Sequence, residues 1–153
     1  PAERFDSQDG VTIQASHDGY ARRFGLVHER GIAINIDGSA IAGRDRLVAA
    51  RGKALASTPR AGKPLASKAV GSRYTIRFHL HPSVKVGRID SGQGVLLVTS
   101  DNQQWIFRSP STLVEIEESV LFAGPDGPRA TSQLVLSGDI VPDLEIDWTI
   151  ERQ

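Results

Sequence analysis

Cysteine and methionine are both absent from this 153-residue sequence. Without thiols, disulfides, thiolate catalysis, thiolate zinc sites and iron–sulfur clusters are all excluded. Net charge is missing too. Eighteen Lys and Arg balance eighteen Asp and Glu, so no whole-molecule field draws the chain toward nucleic acid or an anionic membrane. No apolar stretch approaches the roughly 20 residues that a helical membrane span requires. The N-terminus also lacks the basic-then-apolar order of a secretory signal. Neither nucleic acid nor membrane is therefore expected as a partner, and the compartment is left undetermined. No Gly-x-Ser-x-Gly elbow, phosphate-binding glycine-rich loop or nucleotide fingerprint occurs, so the enzyme classes that announce themselves locally are missing. A chain that begins at Pro1 and contains no methionine reads as an excerpt from a longer protein.

What is present is short-range alternation. The length suits one domain, residues 1–153, able to bury a core without disulfides. Val11, Ile13 and Ala15 alternate with polar neighbours; Tyr20 to His28 reads as a second run, joined to the first through Asp18-Gly19. Ile32, Ile34 and Ile36 mark a third run, and Asp37-Gly38 is the strongest hairpin signal, with Ile41 to Val48 as the return strand. Further strands are expected at Tyr74 to Leu80, Val84 to Ile89, Val95 to Thr99, Gln104 to Arg108, Leu113 to Phe122, Thr131 to Leu136 and Leu144 to Ile150. Between them, residues 49–72 carry Ala, Gly, Ser, Pro, Lys and Arg with no acidic residue, the composition of a flexible basic loop. Short turns favour antiparallel pairing. The predicted fold is all-β, an antiparallel two-sheet β-sandwich of about ten strands.

Alternation also gathers chemistry. In Arg73 to Pro82, Arg77, His79 and His81 share one face, while Tyr74, Ile76, Phe78 and Leu80 share the other. Two imidazoles and a guanidinium suit an anion, a metal or a proton transfer. His79-x-His81 lacks an evident third metal ligand, with His17, His28 and many carboxylates as unranked candidates, and Arg77 is the natural carboxylate partner. His17 and Tyr20 place a base and a phenol at one turn, where loop residues often carry function. Glu115 and Glu117 share an exposed face without a cleft, which favours solvation or ion pairs over a glycosidase pair. Trp105 and Trp148 have apolar neighbours two residues away and read as core.

Several blocks occur in a recognisable order: Ser16-His17-Asp18-Gly19-Tyr20 with Arg23 to Arg30; Gly43-Arg44-Asp45-Arg46-Leu47-Val48; Ile76 to Pro82; Trp105-Ile106-Phe107-Arg108; Glu117-Glu118-Ser119-Val120; and Arg129 to Leu136. From Val11 to Ile150 this series resembles the C-terminal portion of bacterial heparinase II/III-like proteins. The resemblance implies a polysaccharide lyase in which an N-terminal α/α toroid precedes this sandwich. Such lyases cleave uronic-acid-containing polysaccharides by β-elimination: the uronate carboxylate is neutralised, a base removes the C5 proton and an acid assists the leaving oxygen. The family's catalytic Asn, Tyr and His come from the toroid, and its further His and metal ligands from the first sandwich strands, in motifs such as a His-x-Asp region that no position here matches. On this resemblance the chain therefore holds no catalytic or metal-ligating residue and is incomplete alone. A divalent metal would belong to the parent protein. The implied partners are the toroid and an acidic polysaccharide, with Arg77, His79, His81, His17 and Tyr20 as candidate substrate-binding residues. The alternative is a non-catalytic carbohydrate-binding or structural sandwich module.

Overall fold

A computed structural model describes residues 1–50, 71–89, 94–122, 127–141 and 144–153. Most of the expected basic loop, residues 51–70, lies outside them. The described elements are β1 (Ala2–Asp6), β2 (Gly10–His17), α1 (Ala21–Phe24), β3 (Leu26–Asn35), β4 (Ala40–Ala49), β5 (Arg73–His79), β6 (Lys85–Arg88), β7 (Gly94–Val98), β8 (Gln104–Arg108), β9 (Glu115–Leu121), β10 (Arg129–Asp139) and β11 (Leu144–Arg152). They form an eight-stranded sheet, β1-β2-β3-β4-β11-β8-β7-β6, and a three-stranded sheet, β5-β10-β9. Every pairing is antiparallel. The sandwich expected from alternation is what the chain forms.

Two local expectations need correction. The run from Tyr20 to His28 is not a strand throughout: Ala21–Phe24 make one helical turn, ended by Gly25 in the left-handed region at φ 72°. Strand β3 then continues without a break through Ile32 and Ile34, so the second and third expected runs are one strand. An unforeseen strand, β1, pairs along β2 with all five residues exposed. The Asp37-Gly38 hairpin joins β3 to β4 as expected, with Ile34 opposite Ile41.

Apolar alternation accounts for the core. Phe78 of β5 meets Phe107 and Trp148 with ring centroids 4.9 Å apart in each case. Val95, Leu97, Phe107, Leu134, Leu136, Ile146 and Trp148 are buried around this contact. Burial of such side chains contributes on the order of 1.5–3 kcal/mol each. The outer face of the large sheet is a charge ladder instead. Arg46 bridges Glu29 at 3.2 Å and Glu145 at 3.3 Å, and Arg44 bridges Glu145 at 3.2 Å and Asp147 at 2.6 Å. All five side chains are solvent-exposed, so each pair contributes little.

Gly31 interrupts this ladder in the middle of β3, paired with Gln14 on one side and Arg44 on the other. Its φ is not in the left-handed region, and a Cβ there would meet nothing within 4 Å. Neither conformation nor packing requires glycine. Gly31→Ala is expected to stabilise the domain by about 0.5–1 kcal/mol through reduced backbone entropy in the unfolded chain. Urea denaturation showing no gain would mean that the space over residue 31 is not open in the folded protein.

Candidate functional site

Strands β3 and β4 place His28, Arg30 and Asp45 on the inner face of the large sheet. Arg30 lies opposite Asp45, which in turn lies opposite Ile146 of β11. The same face carries Leu26, Leu47 and Trp148, so Asp45 occupies an apolar register position. It is 1% exposed. A carboxylate so placed must be matched by donors. Three converge on it: His28 Nε2 at 2.7 Å and Arg30 Nε at 2.7 Å on Oδ1, and Trp148 Nε1 at 3.0 Å on Oδ2. Burial alone pushes the Asp45 carboxyl up, but the hydrogen bonds from His28, Arg30 and Trp148 together with the Arg30 charge outweigh it and hold its pKa below the ordinary value. Asp45 is therefore an ionised, acceptor-only anchor for two functional side chains.

A chain of hydrogen bonds runs outward from this anchor. His17 stands opposite His28 across β2 and β3, with His17 Nε2 3.1 Å from His28 Nδ1. The Gly19 backbone N–H donates to His17 Nδ1 at 3.2 Å. A backbone N–H can only donate, so in neutral His17 the proton must sit on Nε2. That nitrogen then donates to His28 Nδ1, which leaves His28 Nε2–H to donate to Asp45. The tautomers are assigned by this network. One directional relay results, from an exposed turn to a buried carboxylate. The carboxylate behind a histidine fixes its tautomer and orientation, the arrangement a proton-transfer site needs. Tyr20 lies beside the outer end, its ring centroid 5.1 Å from that of His17 and 6.5 Å from that of His28. The helical turn α1 sets this position, because Ala21 N–H caps back onto the Asp18 carbonyl.

Beside the relay, a cavity of about 290 Å³ opens between the inner face of β3–β4 and strand β5. Its walls are largely apolar, from Phe24, Leu26, Leu47, Ile76, Ile140 and Ile146, with Tyr20, His28 and Arg30 among the polar groups. An apolar cavity with a few convergent polar groups is the usual form of a small-ligand site.

The residues singled out by alternation are divided. His17 and Tyr20 belong to this cluster, and Arg77 lines the cavity. His79 and His81 do not join them: His79 Nδ1 pairs with Ser119 Oγ at 2.9 Å and His81 Nδ1 with Ser83 Oγ at 2.7 Å. Among the described residues, no three His, Asp or Glu side chains form a group able to hold a metal ion. His28, Arg30 and Asp45 were not recognised as one site from sequence. The signal was there in Ile41, Gly43, Asp45 and Leu47, where one carboxylate interrupts an otherwise apolar face.

Comparison with known proteins agrees with this architecture. Residues 1–149 match the family described as heparinase II/III-like, C-terminal. A curated relative, FtsZ-localized protein C of Caulobacter vibrioides, is 31% identical over 157 residues, an alignment covering 99% of this chain and 25% of that protein. Among solved structures, heparan sulfate lyase HepC from Pedobacter heparinus superposes with a TM-score of 0.69 at 10% identity, covering 99% of this chain and 21% of the lyase. A heparinase III gene product gives 0.64 at 8% identity with the same coverages. At these identities the structures attest the fold alone. The chain thus spans about a quarter or less of the length of the relatives it matches, and by its sequence match and its sandwich it belongs to the heparinase II/III-like C-terminal family.

Proposed function

We propose that this domain is the sandwich portion of a heparinase II/III-like polysaccharide lyase that acts on uronic-acid-containing polysaccharide by β-elimination, and that it is catalytically incomplete without an N-terminal α/α toroid. The observation that carries this reading is the His17–His28–Asp45 relay at the mouth of a cavity containing Arg30. β-Elimination needs a group that moves a proton and a cation that accepts the charge developing in the uronate carboxylate. At the exposed end of the relay, His17 would supply the first once the Gly19 N–H that occupies its Nδ1 gives way to substrate, and Tyr20 adds a phenol beside it. The toroid would close over that end and complete the cleft.

A second reading has its own support. The relative at 31% identity carries the name FtsZ-localized protein C, whereas the lyase structures share only 8–11% identity. On that reading the domain is a binding or structural module within a protein that does no elimination.

One experiment separates the two. Full-length protein is incubated with heparan-type, alginate-type and pectin-type polymers, and product is followed by the ultraviolet absorbance of the unsaturated uronate that elimination creates. The lyase reading expects product from one polymer, none from the 153-residue domain alone, and a fall of about 10²–10⁴-fold in kcat/KM for His17→Ala. No product from any polymer with correctly folded full-length protein would leave the non-catalytic module as the function.

A further inference from the structure

We infer that the cavity between the sheets is a subsite for one uronate residue, with Arg30 as the side chain that recognises its carboxylate; this deepens the lyase reading and takes its substrate class from it. The geometry begins with how Arg30 is held. Its Nε donates to buried Asp45 at 2.7 Å, which fixes the inner edge of the guanidinium. Among the described residues, no side chain accepts a hydrogen bond from either terminal nitrogen of Arg30. The side chain keeps 35% of its surface exposed and lines the cavity. A guanidinium anchored through Nε presents its remaining donors as a rigid planar fork, the shape that meets a carboxylate with two parallel hydrogen bonds.

Charge supports an anion there. Asp45 is the single carboxylate among the residues lining the cavity and Arg30 the arginine on the inner face of the large sheet, while Arg73 and Arg77 border the cavity from β5 with exposed side chains. The terminal nitrogens of Arg30 are thus beside walls that are mostly apolar, where an electrostatic contact is less screened than in open solvent. The apolar walls would take the C–H faces of a sugar ring. Tyr20, 45% exposed, stands at the mouth beside His17. A carboxylate on Arg30 would therefore leave the ring of the same residue beside the outer end of the relay.

The carboxylate partner is in this way moved from the face of Arg77, His79 and His81 to the inner face of β3. His79 and His81 are turned to hydroxyl partners outside the cavity, whereas Arg30 and His28 are held side by side by the same Asp45 oxygen. Asp45 acts here as a positioning residue for both.

The test uses full-length protein and three small probes, glucuronate, glucose and inorganic sulfate, measured by isothermal titration calorimetry. Saturable binding of glucuronate, with no heat from glucose and weaker binding of sulfate, is the expected result. Arg30→Lys keeps the charge beside Asp45 but removes the fork, so it should weaken glucuronate binding by about tenfold or more while its melting temperature stays near wild type. Arg30→Gln is the second variant and should behave likewise; His79→Ala on the outer face should bind as wild type does. Unchanged glucuronate affinity in folded Arg30→Lys, loss of binding in His79→Ala, or sulfate binding as tight as glucuronate would each overturn the assignment. The lyase reading fails separately. Product formation unaffected by Arg30→Lys removes Arg30 and leaves the lyase, whereas Arg30-dependent glucuronate binding with no product from any polymer removes the lyase and leaves the subsite.

Discussion

Asp45→Asn is expected to cost about 3–5 kcal/mol of folding stability, the range for breaking a buried ionic group away from its partners. The carboxylate accepts from His28 and Arg30 on one oxygen and from Trp148 on the other. An amide has one accepting oxygen and one donating nitrogen. Whichever way the substituted amide is turned, its NH₂ faces a donor, either the Trp148 indole N–H or the His28 and Arg30 pair, and the Arg30 charge loses its buried counterion. Against a total stability of about 5–15 kcal/mol, such a loss shows plainly in the midpoint of urea unfolding. The pH dependence should change as well. The folded-state pKa of Asp45 is depressed, so its stabilisation is present above the unfolded-state carboxylate pKa and is lost as pH falls through the folded value. Wild type should therefore lose stability on acidification below a pH of about 4, and Asp45→Asn should lack that part of the slope. A cost under about 1 kcal/mol with an unchanged acid limb would mean that the three donors find other acceptors and that Asp45 anchors nothing.

The relation between sequence and site explains why only part of this was legible. Alternation is a local signal, and it places Phe78, Ile146 and Trp148 inward because their neighbours are polar. It failed at Ala2–Asp6, whose Glu3, Arg4 and Asp6 leave no apolar face; that strand exists because β2 offers it an edge, not because its own sequence selects it. It also failed at Ala21–Phe24, where the chain makes one helical turn before Gly25 returns it to the sheet. Pairwise register is not a local signal at all. His17 and His28 are eleven residues apart, and nothing in either neighbourhood says that β2 and β3 set them opposite one another. The bond from Trp148 to Asp45 spans 103 residues. The candidate residues read from β5 were correctly placed on one face, yet a shared strand face is not a shared site. His79 and His81 each satisfy a nitrogen with a nearby serine, while the relay is assembled from β2, β3 and β4.

That assembly depends on a position with no side chain at all. Gly43 lies opposite Trp148 in the pairing of β4 with β11, and a Cβ at residue 43 would fall inside the van der Waals surface of the indole ring at Cζ2 and Cε2, with Cη2 only 2.5 Å away. The indole lies over Gly43 because that is the route by which its Nε1 reaches Asp45, two residues along the same strand. Gly43→Ala must therefore push the ring off the sheet. The ring is in turn stacked on Phe107, with centroids 6.2 Å apart, and packed by Phe78, so it cannot move without disturbing the core. Overpacking of this kind costs about 1–3 kcal/mol, and loss of the hydrogen bond to a buried carboxylate adds about 1.5–3 kcal/mol. The expected result is a domain destabilised by about 2.5–6 kcal/mol, the sum of those two effects, with altered Trp148 fluorescence in a Trp105→Phe background. A double-mutant cycle makes the cause specific. In Trp148→Leu the indole is gone and the space over Gly43 is open, so adding Gly43→Ala should cost less than about 1 kcal/mol, leaving a coupling energy of about 1.5 kcal/mol or more between the two positions. Equal costs of Gly43→Ala in both backgrounds would show that backbone, not the indole, demands glycine. The link from this packing to function is then direct, because the same displacement frees Asp45 from Trp148 and loosens the anchor on which His28 and Arg30 are both held.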